Sequence, residues 1–252
     1  MTCRAMKYRV GLFAAAAAVF FATPGSAPAR DPVVTNDKVI TDERRLAILQ
    51  WKLASLQKQV ELLEDAKTIE RLQQTYGYYV SEGMGSEAAA LFSDSPAASI
   101  EMAQQGVYLG KDRIRAFLTH GGEGLKDGEI RETPLMQGVI HVAPDGKTAK
   151  ARWRTLTMAG TYGQDGQWIE GPFENEYVKE GGVWKFSRIH WYTTVIGSYD
   201  EGWHKKSYPA PGPLADLPPD LPPTDKYAAF PAFYLPPYHY LHPVTQKPVA
   251  WD

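Results

Sequence analysis

Two ionisable side chains in this 252-residue sequence have apolar neighbours, and both could take part in proton transfer. His190 lies in the aromatic-rich segment WKFSRIHWYT, and an imidazole titrates in the range that suits a general base. Glu101 lies in SIEMAQ, where burial would favour the neutral carboxyl and allow it to act as an acid or a base. Each residue could also be purely structural. His190 could be a hydrogen-bonded histidine of the core or of an interface, and Glu101 could be a carboxylate on a solvated strand face.

The residues around these candidates alternate as strand residues do, so each segment is predicted to divide into two faces. One predicted face of WKFSRIHWYT carries Phe186, Arg188, His190 and Tyr192, and the other carries Lys185, Ser187, Ile189 and Trp191. Likewise, Asn175 is predicted to share a face with Phe173 and Tyr177, opposite Glu174 and Glu176. Arg154 lines up with Arg152, Leu156 and Met158. The alternation leaves open which face is concave.

Several classes of chemistry lack their motifs in this sequence. There is no glycine-rich nucleotide loop, no G-x-S-x-G elbow and no H-E-x-x-H pair, and GGEG at 121–124 follows a predicted helix rather than a strand. His239 and His242 have no adjacent carboxylate or cysteine, so no metal site is predicted. Any reaction is therefore expected to need no cofactor.

A formal charge of −2 with scattered charges does not indicate binding to nucleic acid or to an anionic membrane.

A heptad pattern precedes the segments that carry these candidates. Its apolar positions are Leu46, Leu49, Leu53, Leu56, Val60 and Leu63. Lys67 ends the repeat, and a second apolar face with a shifted phase begins at Ile69, which predicts two helical pieces. The first piece is predicted to pack either on a partner subunit or on the back of its own domain, and the second to join the core.

Helices are followed by long antiparallel strands, which predicts an α+β fold. SEAAALF and KDRIRAFLTH are predicted to be helices, with ASIEMAQQGVYLG between them as strand and turn. Two hairpins are then predicted, one turning at Pro144–Gly146 and the other at Glu180–Gly182.

The first 29 residues have the pattern of a secretory signal peptide. Three cations, Arg4, Lys7 and Arg9, precede the apolar run 10–22, and small residues at 27–29 suit a cleavage site. An uncleaved membrane anchor is the alternative. We predict a periplasmic or secreted protein with no stable membrane anchor, and the lone cysteine, Cys3, would be removed with the signal.

The last 50 residues change composition again. They hold 12 of the 19 prolines together with many aromatic side chains, which are costly to leave in water. We therefore predict an extended tail that lies on a surface of its own subunit or of a neighbour, with disorder as the alternative.

Four stretches, taken in order, resemble the SnoaL-like branch of the nuclear-transport-factor-2-like superfamily. They are EDAKTIERLQQTYGYYVSEG, ALFSDS, GVYLGKDRIRAFL and ENEYVKEGGVWKFSRIHWY, within about residues 64–197. The resemblance implies a cone, in which a curved antiparallel sheet wraps over helices and leaves an apolar pocket at its open end. Members include cofactor-free isomerases, dehydratases, cyclases and lyases, and others with no known chemistry, so the fold implies a pocket rather than a reaction.

Catalytic relatives of the dehydratase type often pair an Asp at the end of the first core helix with a His on a strand. The resemblance places these two positions at Ser81 and at or beside Leu135, so the sequence departs from the pair at both. An unassisted Ser81 hydroxyl cannot accept a proton near neutral pH. Catalysis by that pair is not expected here.

The resemblance also suggests which groups would replace the pair. Tyr78 and Tyr79 lie on the helix that should line the cone, and a tyrosine hydroxyl there, with Arg154, could orient a substrate or stabilise an oxyanion. We predict Tyr79, Glu101 and His190 as catalytic residues, and Tyr78, Arg154, Asn175 and Tyr192 as substrate-binding residues.

The predicted organisation is a signal peptide (1–29), a helical extension (30–63), a SnoaL-like domain (64–200) and a Pro- and aromatic-rich tail (201–252). The predicted function is a cofactor-independent lyase, dehydratase or isomerase that takes a small apolar or aromatic molecule and forms a homo-oligomer. The alternative is a ligand-binding or assembly module without catalysis.

Overall fold

The computed structural model describes residues 42–249, so the predicted signal peptide and the first part of the helical extension lie outside the described residues. Residues from Leu49 onward form one compact unit. Of the preceding unit, the structure describes only the first turns of helix α1. None of the helices in the described range combines the length and the apolar character needed to cross a membrane.

Helix α1 runs without interruption from Asp42 to Ser81, which corrects the prediction of two helical pieces. The change of apolar phase near Lys67 needs no break, because EDAKTI contains neither glycine nor proline and one continuous helix can present two different faces. All of the buried residues of α1 lie from Asp65 onward. The apolar residues Leu49, Leu53, Leu56, Val60 and Leu63 are 50–71 % exposed, so the heptad pattern does not pack on the back of this subunit.

Two short helices follow, α2 (Gly85–Ala90) and α3 (Lys111–Leu118), as the sequence predicts. Ile114 of α3 is fully buried, and Phe117 and Leu118 pack against the core.

Eight strands form a curved sheet that does not close, in agreement with the predicted α+β class. They are β1 (Ser99–Met102), β2 (Val107–Leu109), β3 (Glu129–Glu132), β4 (Leu135–Val142), β5 (Thr148–Thr161), β6 (Gly166–Glu180), β7 (Val183–Trp191) and β8 (Val195–Ser198). The order is β2-β1-β7-β6-β5-β3, with β4 also on β5 and β8 also on β6. Only the β1–β7 pair is parallel.

Both predicted hairpins form, and two short strands, β3 and β8, were not predicted. The EIRE sequence of β3 is polar and mostly exposed, so it has no apolar alternation that would identify it. It is defined by pairing with residues 158–161 at the edge of the sheet, which is a tertiary contact.

A bulge in β7 corrects the predicted division of WKFSRIHWYT into faces. The neighbours Glu176 and Tyr177 of β6 lie opposite Arg188 and Phe186 of β7, so β7 contains one extra residue between these pairs. The side chains of β7 exchange the two sides of the sheet at this point. Phe186 therefore shares the core-facing side with Ile189 rather than with Arg188 and His190. The predicted alternation in β6 is correct, since Phe173, Asn175 and Tyr177 are all buried.

One face of the sheet packs on α1, α2 and α3 to form the core. Its largest members are Tyr76, Phe92, Tyr108, Trp153, Phe173, Tyr177 and Phe186. The tail lies on its own subunit and forms isolated bridges from Leu221 to Val107 and from Ser207 to Gly197. Further along, the Phe230 amide donates to the Thr194 carbonyl at 2.7 Å.

Candidate functional site

A cavity of about 620 Å³ opens between α1, α3 and the core-facing side of the sheet. Its walls are mainly apolar, and the rings of Phe173 and Trp191 stack there with centroids 5.4 Å apart and planes within 5°. Met102, Phe117 and Ile169 complete this wall. A pocket of this size and character suits a small molecule with an aromatic or other flat apolar part.

Hydroxyl groups supply the polar atoms in the interior of this cavity. Thr157 donates to Thr133 with 3.5 Å between the hydroxyl oxygens, and Thr155 lies 3.4 Å from Thr157. The Tyr76 hydroxyl is buried with no hydrogen-bond partner in the described structure, and burial raises the pKa of Tyr76 far above its usual value. The Thr133 and Thr157 hydroxyls, which line the cavity, can orient a ligand oxygen, but no hydroxyl of this group takes up a proton near neutral pH.

Ser81 and Leu135, the residues at or beside the positions where the family resemblance implies an Asp/His pair, make structural contacts. Ser81, the last residue of α1, is buried, and its Oγ accepts the Thr133 amide at 3.0 Å. Leu135 packs against Gly77, where an added Cβ would lie 3.1 Å from Leu135 Cδ1. Both residues line a second, more open cavity of about 800 Å³, and Thr133 borders the two cavities.

The loop 119–126 borders the mouth of the first cavity and is fixed to the end of α1. The Glu123 carboxylate accepts the amides of Gly85 and Ser86, each at 2.9 Å. The Gly124 amide donates to the Gly83 carbonyl at 2.9 Å. Gly83 has φ +68°, and a Cβ there would lie 2.8 Å from the Gly124 carbonyl carbon, so only glycine allows this approach.

His120 lines the same mouth and pairs with the C-terminal tail. Its Nε2 lies 2.9 Å from Asp216 Oδ1, and this hydrogen bond lowers the pKa of the Asp216 carboxyl. Leu214, two residues before Asp216, also lines the cavity. His120 is not among the site residues predicted from the sequence, because its partner Asp216 is 96 residues away. The only local signal is a histidine ahead of Gly121 and Gly122.

The structure brings Glu101 and His190 together, with 3.5 Å between Glu101 Oε2 and His190 Nδ1, but neither residue lines a cavity described above. Both are about 99 % buried beneath the tail. Glu101 accepts the amide of Thr224 at 2.7 Å and its hydroxyl at 2.6 Å. Arg188 also reaches Glu101, at 3.4 Å. This cluster holds the tail against β1 and β7.

The two nitrogens of His190 have different surroundings. Arg188 donates to Nδ1 at 2.9 Å, which leaves the proton on Nε2, and Nε2 is buried without a partner in the described structure. Burial and then the Arg188 charge lower the pKa of His190 to about 3. The nearby Glu101 carboxylate does not reverse this shift, because Arg188 lies closer to the ring than Glu101 does. His190 is therefore held neutral with its basic nitrogen occupied.

The other predicted site residues are dispersed. Tyr79 is half-buried against the core and lines neither cavity, whereas Tyr78 is 76 % exposed and lines only the open one. On the face of β5 that points away from the core, Arg154 pairs with Glu170 at 3.3 Å. Asn175 donates to Gln73 in the core, and Tyr192 donates to Asp225 of the tail at 2.8 Å. The described residues contain no group of three or more His, Cys, Asp or Glu side chains that could hold a metal ion.

A curved sheet over helices, with an apolar cavity at its open end, defines a cone-shaped small-molecule-binding fold. The sequence matches the SnoaL-like domain family over residues 61–190, close to the stretch of 64–197 in which the resemblance was seen. The chain belongs to this family, within the nuclear-transport-factor-2-like superfamily.

Solved structures of other proteins are similar to part of this chain. A scytalone-dehydratase-type protein of Novosphingobium aromaticivorans is 21 % identical, with 62 % of this chain and 97 % of that chain covered and a TM-score of 0.49. A nuclear-transport-factor-2-like protein of the same organism is 19 % identical, with 56 % and 89 % covered and a TM-score of 0.47. The type 3 hexachlorocyclohexane dehydrochlorinase LinA of Novosphingobium barchaimii is 15 % identical, with 56 % and 93 % covered and a TM-score of 0.48. No curated protein matches this chain in sequence.

Proposed function

We propose that this protein takes a small, largely apolar molecule with an aromatic part into the cavity of about 620 Å³ and acts on it without a cofactor, by elimination, hydration or isomerisation. The observation that carries the proposal is the composition of the cavity. Stacked Phe173 and Trp191 offer a flat apolar wall, and the Thr133 and Thr157 hydroxyls offer hydrogen bonds to one polar end of a ligand.

A binding module without catalysis is the second candidate, and a specific observation favours it. The Ser81 hydroxyl is engaged by the Thr133 amide, and Leu135 packs on Gly77, so the usual acid–base pair has no substitute at its own positions. The predicted catalytic residues Glu101 and His190 support the tail instead of lining the cavity.

Ligand binding and turnover can be tested together with a panel of aromatic monomers and dimers. We expect one or more compounds to raise the melting temperature in a saturable way. We also expect the same compounds to lose or gain a small molecule by mass spectrometry, or to give an isomer that chromatography separates. Ala159→Trp, which fills the cavity, should abolish the stabilisation. Met158→Trp is the matched control, because Met158 is the neighbouring residue on the opposite face and should leave binding intact.

The outcomes separate the two candidates. Stabilisation by a ligand that shows no change in mass, chromatographic retention or absorption spectrum would favour the binding module. Equal stabilisation of wild type and Ala159→Trp would show that the ligand binds elsewhere and would refute the cavity as the site.

We further propose that the protein is exported and that it self-associates through the exposed apolar side of α1. The first proposal is supported by the composition of residues 1–29, and the second by the exposure of Leu49, Leu53, Leu56, Val60 and Leu63.

A further inference from the structure

We propose that His120, oriented by Asp216 of the C-terminal tail, is the general base of this protein, at the mouth of the cavity of about 620 Å³. The inference rests on the proposed function, because it needs that cavity to hold the substrate. His120 is the catalytic residue in this assignment, and Asp216 is a positioning residue.

The cavity lining contains His120 as its histidine and the hydroxyls of Thr133 and Thr157. Gln105, Lys126 and Arg131 also line the cavity, and neither an amide nor a cationic side chain serves as a base. The carboxylates at the mouth have other partners, since Glu123 holds the Gly85 and Ser86 amides and Glu129 accepts the Lys126 amide at 2.9 Å. An imidazole is thus the group at this cavity that is best suited to exchange a proton near neutral pH.

Asp216 imposes one tautomer on His120. A carboxylate only accepts hydrogen bonds, so the contact at 2.9 Å places the imidazole proton on Nε2. The lone pair of His120 is then on Nδ1, which forms no hydrogen bond with any residue of the described range. This is the arrangement that His190 lacks, because Arg188 occupies its Nδ1. When Nδ1 of His120 accepts a proton, the Asp216 carboxylate stabilises the resulting imidazolium.

The tail is fixed on both sides of Asp216. The Gln104 backbone amide donates to the Pro211 carbonyl at 3.1 Å, and the Tyr108 hydroxyl donates to the Leu217 carbonyl at 2.8 Å. Asp220 then accepts from Arg113 at 3.1 Å and from the Leu109 amide at 2.9 Å. The tail therefore presents Asp216 from an anchored segment, even though the Asp216 side chain is 78 % exposed. In a surface His–Asp pair without such anchors, solvation and side-chain motion would disturb the orientation of the two groups.

A nitrobenzisoxazole tests the assignment without knowledge of the natural substrate. This flat aromatic compound suits the cavity, and its ring opening needs only a base. The base takes the ring C–H proton, the C–H electron pair completes a nitrile, the N–O bond breaks, and its electron pair remains on the oxygen of a yellow phenolate. In the protein, the proton would go to Nδ1 of His120 and from there to water.

We expect saturable turnover by the full mature chain and a loss of about 100-fold or more in kcat for His120→Ala, in keeping with the usual size of general-base catalysis. Free imidazole should restore turnover to His120→Ala, which a purely structural role would not allow. Asp216→Asn should lower kcat by about tenfold and leave KM nearly unchanged, because the carboxylate orients the base and does not touch the ligand. His204→Ala, an exposed histidine of the tail, is the matched control and should keep wild-type rates.

The outcomes distinguish this assignment from the proposed function. Suppose that Ala159→Trp removes ligand binding. Full turnover in His120→Ala, or no turnover in wild type, would then show that His120 is not the base, and the cavity would remain a ligand site. Absence of saturable binding to wild type would overturn the cavity function and the base with it.

Discussion

At the scale of single residues, the same side-chain type has opposite properties at two positions of this fold. His190 is buried, with Nδ1 capped by Arg188 and a pKa of about 3, whereas His120 is a third exposed and has its Nε2 on Asp216. Both segments contain a histidine beside apolar residues, so local sequence favours the more aromatic one, His190. The partner of each ring decides its role, and both partners are set by the fold.

The buried His190 should make the protein sensitive to acid. Its pKa falls from 6.5 in the unfolded chain to about 3 in the fold, so the unfolded chain binds the proton first. The contribution to the free energy of unfolding is complete above about pH 6.5 and is lost as the pH falls toward 3, by about 1.4 kcal/mol per pH unit at most. Between about pH 7 and about pH 4.5 we expect wild type to lose roughly 2 kcal/mol more than His190→Gln in urea unfolding.

The control for this comparison is His204→Gln, because the His204 imidazole is exposed. The free energy of unfolding of this variant should have the same pH dependence as that of wild type. If the free energy of unfolding has the same pH dependence in wild type and in His190→Gln, the His190 ring takes up its proton in the folded protein as readily as in the unfolded chain.

At the scale of elements, α1 serves two different purposes along its length. At about 100° per residue, the side that carries Leu49, Leu56 and Leu63 lies roughly opposite the side that buries Ile69 and Tyr76. A second helix can therefore lie along the exposed side while each domain points outward. This geometry favours a coiled coil between two copies of the chain.

The charges that flank this side favour parallel helices. In a parallel pair, Lys52 faces Gln57 of the partner subunit and Gln59 faces Glu64 of the partner subunit, so no like charges meet. In an antiparallel pair with the same apolar layers, Glu43 would face Glu64 of the partner subunit. Acidic residues would then oppose each other at both ends.

Mutation of this side should dissociate the assembly. We expect light scattering to show a dimer for the chain 30–252 and a monomer for Leu53→Lys/Leu56→Lys, because two charged layers replace two apolar ones. Trp51→Lys is the control, since Trp51 is 70 % exposed but lies off the heptad positions, and it should remain a dimer.

The parallel arrangement has its own signature. Residues 30–252 contain no cysteine, so in the chain 30–252 Leu63→Cys introduces a single thiol that should cross-link to its own copy in the partner under oxidation. In the antiparallel arrangement the two thiols would be about 25 Å apart along the axis, and no cross-link would form. A monomeric wild type at high concentration would contradict both arrangements.

At the scale of the whole molecule, the tail completes the domain and is more than an appendage. It supplies Leu214 and Asp216 to the cavity mouth, Thr224 to Glu101 and Asp225 to Tyr192. Stacked Tyr227 and Tyr234, 4.5 Å apart, cover this last contact. Two of the aromatic residues of this proline-rich segment, Tyr227 and Tyr234, thus help to hold it on the sheet.

Export is the prediction that concerns the complete chain. When the full-length protein is produced in a bacterial host, we expect the extracytoplasmic fraction to contain a form that begins at residue 30. Its formal charge would be −5 instead of −2, because three cations leave with the signal. Intact mass and N-terminal sequencing would check this. Ala15→Arg/Ala16→Arg, which interrupts the apolar run, should leave an unprocessed cytoplasmic protein, and processing of that variant would contradict the signal.

The sequence by itself determined the α+β class, the family, the two hairpins and the apolar sides of α1 and α3, because each is expressed in local periodicity and turn residues. The family resemblance also places the usual catalytic pair at Ser81 and at or beside Leu135, which remains a prediction. Tertiary structure decided the rest of the candidate site. The bulge beside Ser187 placed His190 on the side away from the cavity, and pairing across 96 residues joined His120 to Asp216. Neither fact has a local signature, because each depends on which distant segment lies opposite a given backbone position.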